Sequence, residues 1–419
     1  MEKHKSKYRW LVFGAVLFAY FLIVSQRTAP GLITDQLMKE FGVTAAAIGL
    51  LTSIQFFAYA SLQVPIGILS DRFGPNIFLI AGTLLNGAGT LLYSFAGNEY
   101  ILFAARMLVG IGDATIWINV VIILGRWFKV NEFVRLLGFA GMSGSFGFLL
   151  ATVPFSIWIS LWGWRIPFFA VGVILTILAV LLYFILIWKP RRMGMETRNS
   201  AEKKQPREKT AEILKRVFSD RQGWATFFCH FGVVGTYVGF IGSWAVPYGM
   251  DMYGLTRSES SQLVMIGLFG AIIGAPLMSS ISGRLGAIKR PYLFAHIIVF
   301  MGWATFLLFQ GKPPYPLLIV LFLIMGYGNG ASTLTFAVVR KSFDIKDVGV
   351  VSGFANTGGF LSAVLLPFMF GKVLDSFPSG YQYGFIIPVI FSLIGLFGAA
   401  LIKEQEHKVK QTREMAVKG

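Results

Sequence analysis

A chain of 419 residues that is 55% hydrophobic, 15% aromatic and only 14% charged lacks the charged surface, about a quarter of residues, that soluble domains of this total length present to water. Its 47 glycines and 40 phenylalanines suit close helix contacts in lipid, and its single cysteine, Cys229, excludes an intramolecular disulfide. No Cys/His cluster has zinc-ligand spacing, so neither a metal nor another cofactor is expected. A formal charge of +17 would suggest nucleic acid in a soluble protein, and its placement along the chain decides against that.

Apolar runs of about 20 residues, the length that crosses a bilayer as a helix, recur twelve times, at roughly 10–32, 46–69, 77–97, 100–125, 134–159, 165–188, 224–248, 260–282, 291–310, 315–339, 347–371 and 381–402. The first run is too long for the apolar core of a signal peptide and has no small-residue cleavage site, so no cleavable signal is expected. Arg27 lies on the apolar side of Pro30, where a cavity position competes with a side chain reaching back to the interface. After the second run comes Gly67-Ile68-Leu69-Ser70-Asp71-Arg72-Phe73-Gly74. Its glycines permit a tight turn, Asp71 can face the positive end of a neighbouring helix, and Arg72 can pair or meet a lipid phosphate.

The fourth run carries Arg106 and Asp113, the latter being the one acidic residue well inside a span. Seven residues give about 10.5 Å of rise and about 20° of rotation, so the two share a face without touching. A partner from another helix, Arg27 foremost, is expected to complete the group. A charge at the bilayer centre costs roughly 2.5–3.5 kcal/mol, which argues that these three are not idle. The fifth run repeats glycine at Gly138, Gly141, Gly144 and Gly147. From Lys189 to about Gly223 the apolar pattern stops and eleven Lys/Arg gather, with 208–218 readable as an amphipathic helix or as solvated linker. The predicted domains are a six-helix bundle over 1–188, a cytoplasmic linker over 189–223, and a second six-helix bundle with its tail over 224–419. In the second half, Gly326-Tyr327-Gly328-Asn329-Gly330 follows no strand, so helix packing explains it better than a nucleotide loop. His230 and His296 read as packing residues, with a proton role as the alternative.

If the amino terminus is cytoplasmic, the inner segments hold 30 Lys/Arg and the outer ones five, namely Lys39, Arg165, Arg257, Lys312 and Lys372. The positive-inside rule then sets both termini in the cytoplasm of a multi-pass cell-membrane protein, a bacterial inner membrane by expectation. The excess charge thus faces lipid headgroups, and no nucleic acid is expected. Landmarks also repeat at near-fixed offset. Phe41-Gly42-Val43-Thr44 recurs as Tyr253-Gly254-Leu255-Thr256, and Arg72-Phe73-Gly74 as Arg284-Leu285-Gly286. Gly110-Ile111-Gly112-Asp113 recurs as Gly326-Tyr327-Gly328-Asn329, and Gly138-Phe139-Ala140 as Gly353-Phe354-Ala355. An even number of spans per half makes these parallel repeats, with the interface between halves as the natural midplane site.

The Gly67 to Gly74 loop resembles the signature loop of the major facilitator superfamily, although Pro75-Asn76 replaces its usual basic ending and Gly283 stands where a second Asp71 would fall. Arg106-Met107-Leu108-Val109-Gly110-Ile111-Gly112-Asp113-Ala114 resembles the fourth-helix pattern of the anion:cation symporters and related organophosphate permeases, with Asp for the usual Glu. Tyr59-Ala60-Ser61-Leu62-Gln63-Val64-Pro65-Ile66-Gly67 and Asn356-Thr357-Gly358-Gly359 are similar to segments of the same branch. The resemblance implies an all-α fold of twelve helices in two pseudo-symmetric bundles. It also implies an anion-binding role for Arg27 and a binding-site role for Asn356. Gln26 stands where an Asp is common, and the seventh helix offers no arginine to pair with Arg27, which speaks against a two-arginine clamp. The fifth helix lacks the Gly-Pro pair of the drug-antiporter branch.

The expected function is secondary active transport, proton-coupled symport of a small organic anion such as a sugar acid by a monomer. The alternatives are efflux of drugs or amphiphiles and, in another class, a membrane-embedded enzyme or receptor, which would need a nucleophile-base pair or metal cluster that the sequence does not offer. Arginine suits a carboxylate because its planar fork stays charged. Asp113 is the proton-coupling candidate, since burial disfavours the charged carboxylate and nearby substrate charge changes its occupancy. Arg106 is either a brace or a substrate contact. Tyr59, Trp117, Asn119, Tyr237, Trp244 and Asn329 are candidate cavity residues, each with core packing as the competing role. Tags after Lys5, within 195–210 and after Lys410 are all expected on the cytoplasmic side of intact cells; protease protection of each tag tests this, and one found outside breaks the twelve-span topology.

Overall fold

The structure, a computed structural model, describes residues 7–193, 210–343 and 348–404; the three tag positions just named fall on or beside residues outside that description. Among the described residues twelve helices are long and apolar enough to cross a membrane, and there is no strand. They are α1 (Tyr8–Leu32), α2 (Ala45–Phe73), α3 (Pro75–Ser94), α4 (Glu99–Trp127), α5 (Val130–Leu150 continued by Val153–Trp162) and α6 (Arg165–Arg192). The second bundle holds α7 (Arg221–Ile241), α8 (Arg257–Leu285), α9 (Lys289–Leu308), α10 (Tyr315–Ser342), α11 (Val348–Ser376) and α12 (Gly380–Leu401). All twelve predicted spans are present.

The sequence repeat is a repeat of stops and starts. Gly42 and Gly254 take left-handed φ values of 63° and 67° and end the short helices Thr34–Phe41 and Ala245–Tyr253, a conformation that costs glycine little. Two residues later Thr44 caps α2 by accepting from the Ala47 N–H, and Thr256 caps α8 by accepting from Glu259, which supplies one of the donors a helix start leaves orphaned. Both helices then run 29 residues with one internal proline, Pro65 or Pro276. The paired glycine motifs of α4 and α10 are each followed by a break, at Thr115 and Ser332. In α10 the packing reading holds, because a Cβ on Gly326 would overlap the Gly267 carbonyl of α8. The backbone of the signature loop turns at Gly74, φ +97°, while the side chains of Asp71 and Arg72 lie outside those described.

Between the bundles, Thr210–Ser219 is a helix, and it is docked rather than solvated. Val217 is buried against Val339 and Val351 of the second bundle, and the Trp224 indole donates to the Phe218 carbonyl. Near the face carrying this helix and both ends of the described chain, Arg9 of α1 pairs with Glu132 of α5 at 3.0 Å. The Lys129 backbone N–H, and then Arg9, hold the half-buried Glu132 carboxyl below its usual range.

The two bundles lock together at the opposite, far face. Asp375, at the end of α11, accepts from the backbone N–H groups of Ala45 and Ala46 at 2.8 Å each, so its carboxylate sits on the positive start of α2. Arg257 at the start of α8 grips Asp35 through both terminal nitrogens, at 2.8 and 2.7 Å, and also reaches the Leu32 carbonyl. Ser243 donates to Thr52 at 2.8 Å. Small residues permit this approach: a Cβ on Gly49 would lie 2.1 Å from the Pro367 carbonyl oxygen, and one on Gly371 2.4 Å from that of Ala45. Outside the seam is a cavity of about 570 Å³ lined by Asp35, Lys39, Asp251, Asp375 and Tyr381 among others. Its acids already have partners, including Asp251, whose carboxyl burial pushes up while the Tyr381 hydroxyl, 2.8 Å away, pulls it down. The cavity is therefore a vestibule beyond a closed seam. Gly49→Ala is expected to part α2 from α11 here, lengthening the distance between spin labels at Val43 and Phe377 with the buried Cys229 left in place; an unchanged distance distribution would show that the contact does not hold the far face shut.

Candidate functional site

The site begins with how α1 ends. Its α-helix stops at Thr28 and tightens into a single turn over Ala29–Leu32 that contains Pro30. Proline has no N–H, so the Gln26 carbonyl loses the donor that the next turn would have supplied. Arg106 from α4 fills the gap, donating Nη1 to the Gln26 carbonyl and Nη2 to the Arg27 carbonyl, each at 3.4 Å. The same Nη2 donates to Oε1 of Gln55 on α2. Arg106 therefore braces three elements, and it is buried to 2% exposure.

Asp113, two turns further along α4, receives Nε of Arg27 at 3.1 Å and Nε2 of Gln55 at 3.0 Å, both on Oδ2. The expectation that Arg27 completes the Arg106 and Asp113 group is met, as a direct ion pair. Arg27 also lies with its Cζ 5.1 Å from the centre of the Tyr59 ring, within cation–π range. Tyr59 in turn packs at a tilt on Phe360 of α11, ring centres 4.4 Å apart, so the cluster in the first bundle touches the second through an aromatic pair. Within the three charged side chains, the buried atoms Arg27 Nη2, Arg106 Nε and Asp113 Oδ1 have no protein hydrogen-bond partner. The Arg27 side chain retains 12% exposure against 2% for Asp113, which makes the arginine the more reachable of the two. With Asp113 ionised, two cations and one anion leave the cluster one net positive charge.

The remaining candidates are spread more widely. Trp117 packs on Tyr20 of α1 at 5.2 Å, beside the cluster. Asn119 is buried, and its amide nitrogen is taken by the Thr115 carbonyl one turn back on its own helix. Tyr237 and Trp244 are buried in the core of the second bundle; the Tyr237 hydroxyl has no partner, whereas the Trp244 indole donates to the Pro367 carbonyl at 3.0 Å. Asn329 and Asn356 are half-buried on α10 and α11. His230 shares a hydrogen bond with Thr335 at 2.9 Å, which also meets the Tyr292 hydroxyl at 2.7 Å, and His296 Nδ1 lies 2.9 Å from the Tyr292 carbonyl. Both histidines are thus partnered side chains inside the second bundle, as the packing reading expected. Sequence reasoning missed Gln55, Tyr20 and Phe360. One signal was available for the first: Gln55, Tyr59 and Gln63 are spaced by four, so they line one face of α2.

Twelve spans in two parallel bundles, with a cluster of charged side chains held among apolar helices, define an integral membrane transporter rather than an enzyme. The chain belongs to the Major Facilitator Superfamily, whose family model matches residues 16–311 and again 250–418. It is 26% identical to a protein of Cupriavidus necator named as a probable sulfoacetate transporter, over 96% of this chain and 95% of that one. It is 24% identical to a gentisate transporter of Corynebacterium glutamicum, covering 97% and 91%, and 22% identical to a D-galactonate transporter of Escherichia coli O6:H1, covering 93% and 94%. These relatives accord with the branch resemblance seen in the sequence. Among solved structures, a bacterial homolog of the human lysosomal transporter Spinster, described as inward-facing and unoccupied, superposes with a TM-score of 0.72 at 17% identity over 95% of this chain and 98% of that one, a likeness of fold.

The contacts of Arg106 generate a test of its role. Arg106→Met strands three acceptors and is expected to lower stability by about 1–3 kcal/mol, seen as a lower melting temperature of the purified protein in detergent. A variant as stable as its parent would remove the bracing role and leave substrate contact as the reason for the residue.

Proposed function

We propose that this protein carries out proton-coupled symport of a small organic anion, a sugar acid or other carboxylate, by alternating access between its two bundles. The observation that carries this reading is the state of Arg27, whose Nε is held by Asp113 while its buried Nη2 has no protein partner. A guanidinium so held is oriented through Nε and keeps the N–H groups of Nη2 available to a carboxylate. The net positive charge of the cluster favours an anion over a cation. Tyr59, packed between Arg27 and Phe360, would cover the bound anion, with Trp117, Asn119, Tyr237, Asn329 and Asn356 as further contacts and Arg106 bracing from behind. The relatives named for sulfoacetate, gentisate and D-galactonate transport support the substrate class.

Asp113 is assigned the proton. Coupling requires a group that gains and loses a proton within the bilayer, and arginine does not; the two buried histidines are committed to hydrogen bonds away from the charged cluster. Protonating Asp113 would weaken its hold on Arg27 and raise the net charge facing the substrate, so proton and anion would favour each other's binding. The face bearing both chain ends is assigned to the cytoplasm of the cell membrane, from the placement of Lys and Arg. The far-face seam then closes the outside, and the conformation is the inward-facing one. The bundles are taken as 1–188 and 224–419, joined by the 189–223 linker, in a monomer.

In proteoliposomes supplied with labelled sulfoacetate, gentisate and D-galactonate, Arg27→Lys is expected to lose at least tenfold in affinity for whichever anion is carried, because the ammonium keeps the charge and loses the fork. Equal transport by Arg27→Lys and Arg27→Ala would rule out Arg27 as the anion site, and a gain for cations would favour efflux. Asp113→Asn imitates the protonated state and should abolish accumulation driven by a proton gradient while sparing counterflow exchange. Accumulation that survives in this variant would exclude Asp113 as the carrier.

A further inference from the structure

Arg106 and Asp113 lie on one face of α4, too far apart to touch, yet they are not independent. The side chain between them belongs to another helix. Gly110 stands four residues after Arg106 and three before Asp113, and at that level α2 and α4 are in backbone contact: a Cβ on Gly110 would lie 2.5 Å from the Gln55 carbonyl oxygen and 3.0 Å from its Cα. The Gln55 side chain, fully buried, therefore enters midway between the two charges. Its Oε1 accepts from Arg106 and its Nε2 donates to Asp113 at 3.0 Å.

The chemistry of the neighbours fixes which way the amide points. A guanidinium only donates and a carboxylate only accepts, so the reversed amide would set oxygen against oxygen and nitrogen against nitrogen. Among neutral side chains an amide offers both roles from one planar group, and asparagine is a methylene shorter. Gln55 also closes a circuit. Asp113 holds Arg27 by its side chain, Gln55 joins Asp113 to Arg106, and Arg106 holds Arg27 by its backbone carbonyl. The titratable and charged groups facing Asp113 are Arg27 and Tyr20 from α1, Tyr59 from α2, and Arg106 from its own helix.

We propose that Gln55 is the positioning residue that sets the proton affinity of Asp113 and transmits its protonation state to the anion site at Arg27. The proposal rests on the assignment of Asp113 as proton carrier. A donor to a carboxylate favours its ionised form, so while Gln55 is in place Asp113 gives up its proton more readily, and the amide holds Arg106 against the end of α1. When Asp113 is protonated it accepts more weakly from Gln55, and the amide is freer to shift against Arg106. Removing the amide therefore has a defined sign: Asp113 keeps its proton to higher pH.

The direct readout is the infrared band of the protonated carboxyl group, titrated by pH in purified protein without substrate and assigned by its absence in Asp113→Asn. Gln55→Met keeps the volume of the side chain and removes both hydrogen bonds; its midpoint is expected about one pH unit higher, the shift that loss of one hydrogen bond to a charged group implies. Gln55→Asn keeps a polar amide that falls short, guarding against a variant that fails to fold, and is expected to move in the same direction. Uptake of sulfoacetate, gentisate or D-galactonate, measured in proteoliposomes against pH, should shift by the same interval. A midpoint unchanged in both variants overturns the proposal and leaves the symport reading standing. If no band depends on Asp113 at any pH, the carrier assignment fails and this proposal with it.

Discussion

Three charges must be kept among apolar helices, and the way they are kept shapes the first bundle around them. Arg27 and Asp113 neutralise each other directly, which removes most of the cost of burying either one alone. Arg106 is held instead through its two terminal nitrogens by carbonyl oxygens, two from the backbone where α1 ends and one from Gln55, while its Nε keeps no protein partner. Those oxygens are available because Pro30 withholds a donor and because Gly110 lets α2 approach α4. A proline in one helix, a glycine in another and an amide in a third thus act as a single device for holding an arginine in lipid.

The duplicated architecture makes the uneven chemistry conspicuous. The halves share turns, caps, internal prolines and helix breaks at nearly constant offset, yet the positions equivalent to Arg27, Arg106 and Asp113 are Gly239, Phe322 and Asn329. Polar residues of the second bundle such as His230, Tyr292, His296 and Thr335 bond among themselves and to nearby backbone. What that bundle brings to the charged cluster is an aromatic surface, Phe360 against Tyr59. Under the proposed mechanism the charge-bearing half selects the substrate, and the apolar half closes over it and moves away.

The parts legible in the sequence were those encoded locally. Spans follow from apolar length, and the repeat from glycines and threonines whose roles at turns and caps need no distant partner. The charged triad was legible because a buried Asp or Arg is rare enough to be noticed, and helical geometry alone said that Arg106 and Asp113 need a third party. Gln55 escaped because an amide in an apolar helix carries no charge to mark it, and its meaning depends on the register of α2 against α4. Phe360 escaped for a related reason: one phenylalanine among forty is distinguished only by what it touches. The far-face seam was equally hidden, since Asp375 and Asp35 read as ordinary loop acids until α11 meets the start of α2. The linker helix had its amphipathic pattern in plain view, while its docking required Val339 and Val351, more than a hundred residues away.

The most direct test of proton-coupled anion symport is proton movement itself. Proteoliposomes with no imposed gradient, given sulfoacetate, gentisate or D-galactonate on the outside, should show alkalinisation of a weakly buffered external medium as the carried anion enters, and Asp113→Asn should abolish that signal while leaving exchange of internal for external anion. Anion entry that leaves external pH unchanged in the parent protein, or a pH signal of full size in Asp113→Asn, would contradict coupling through this residue.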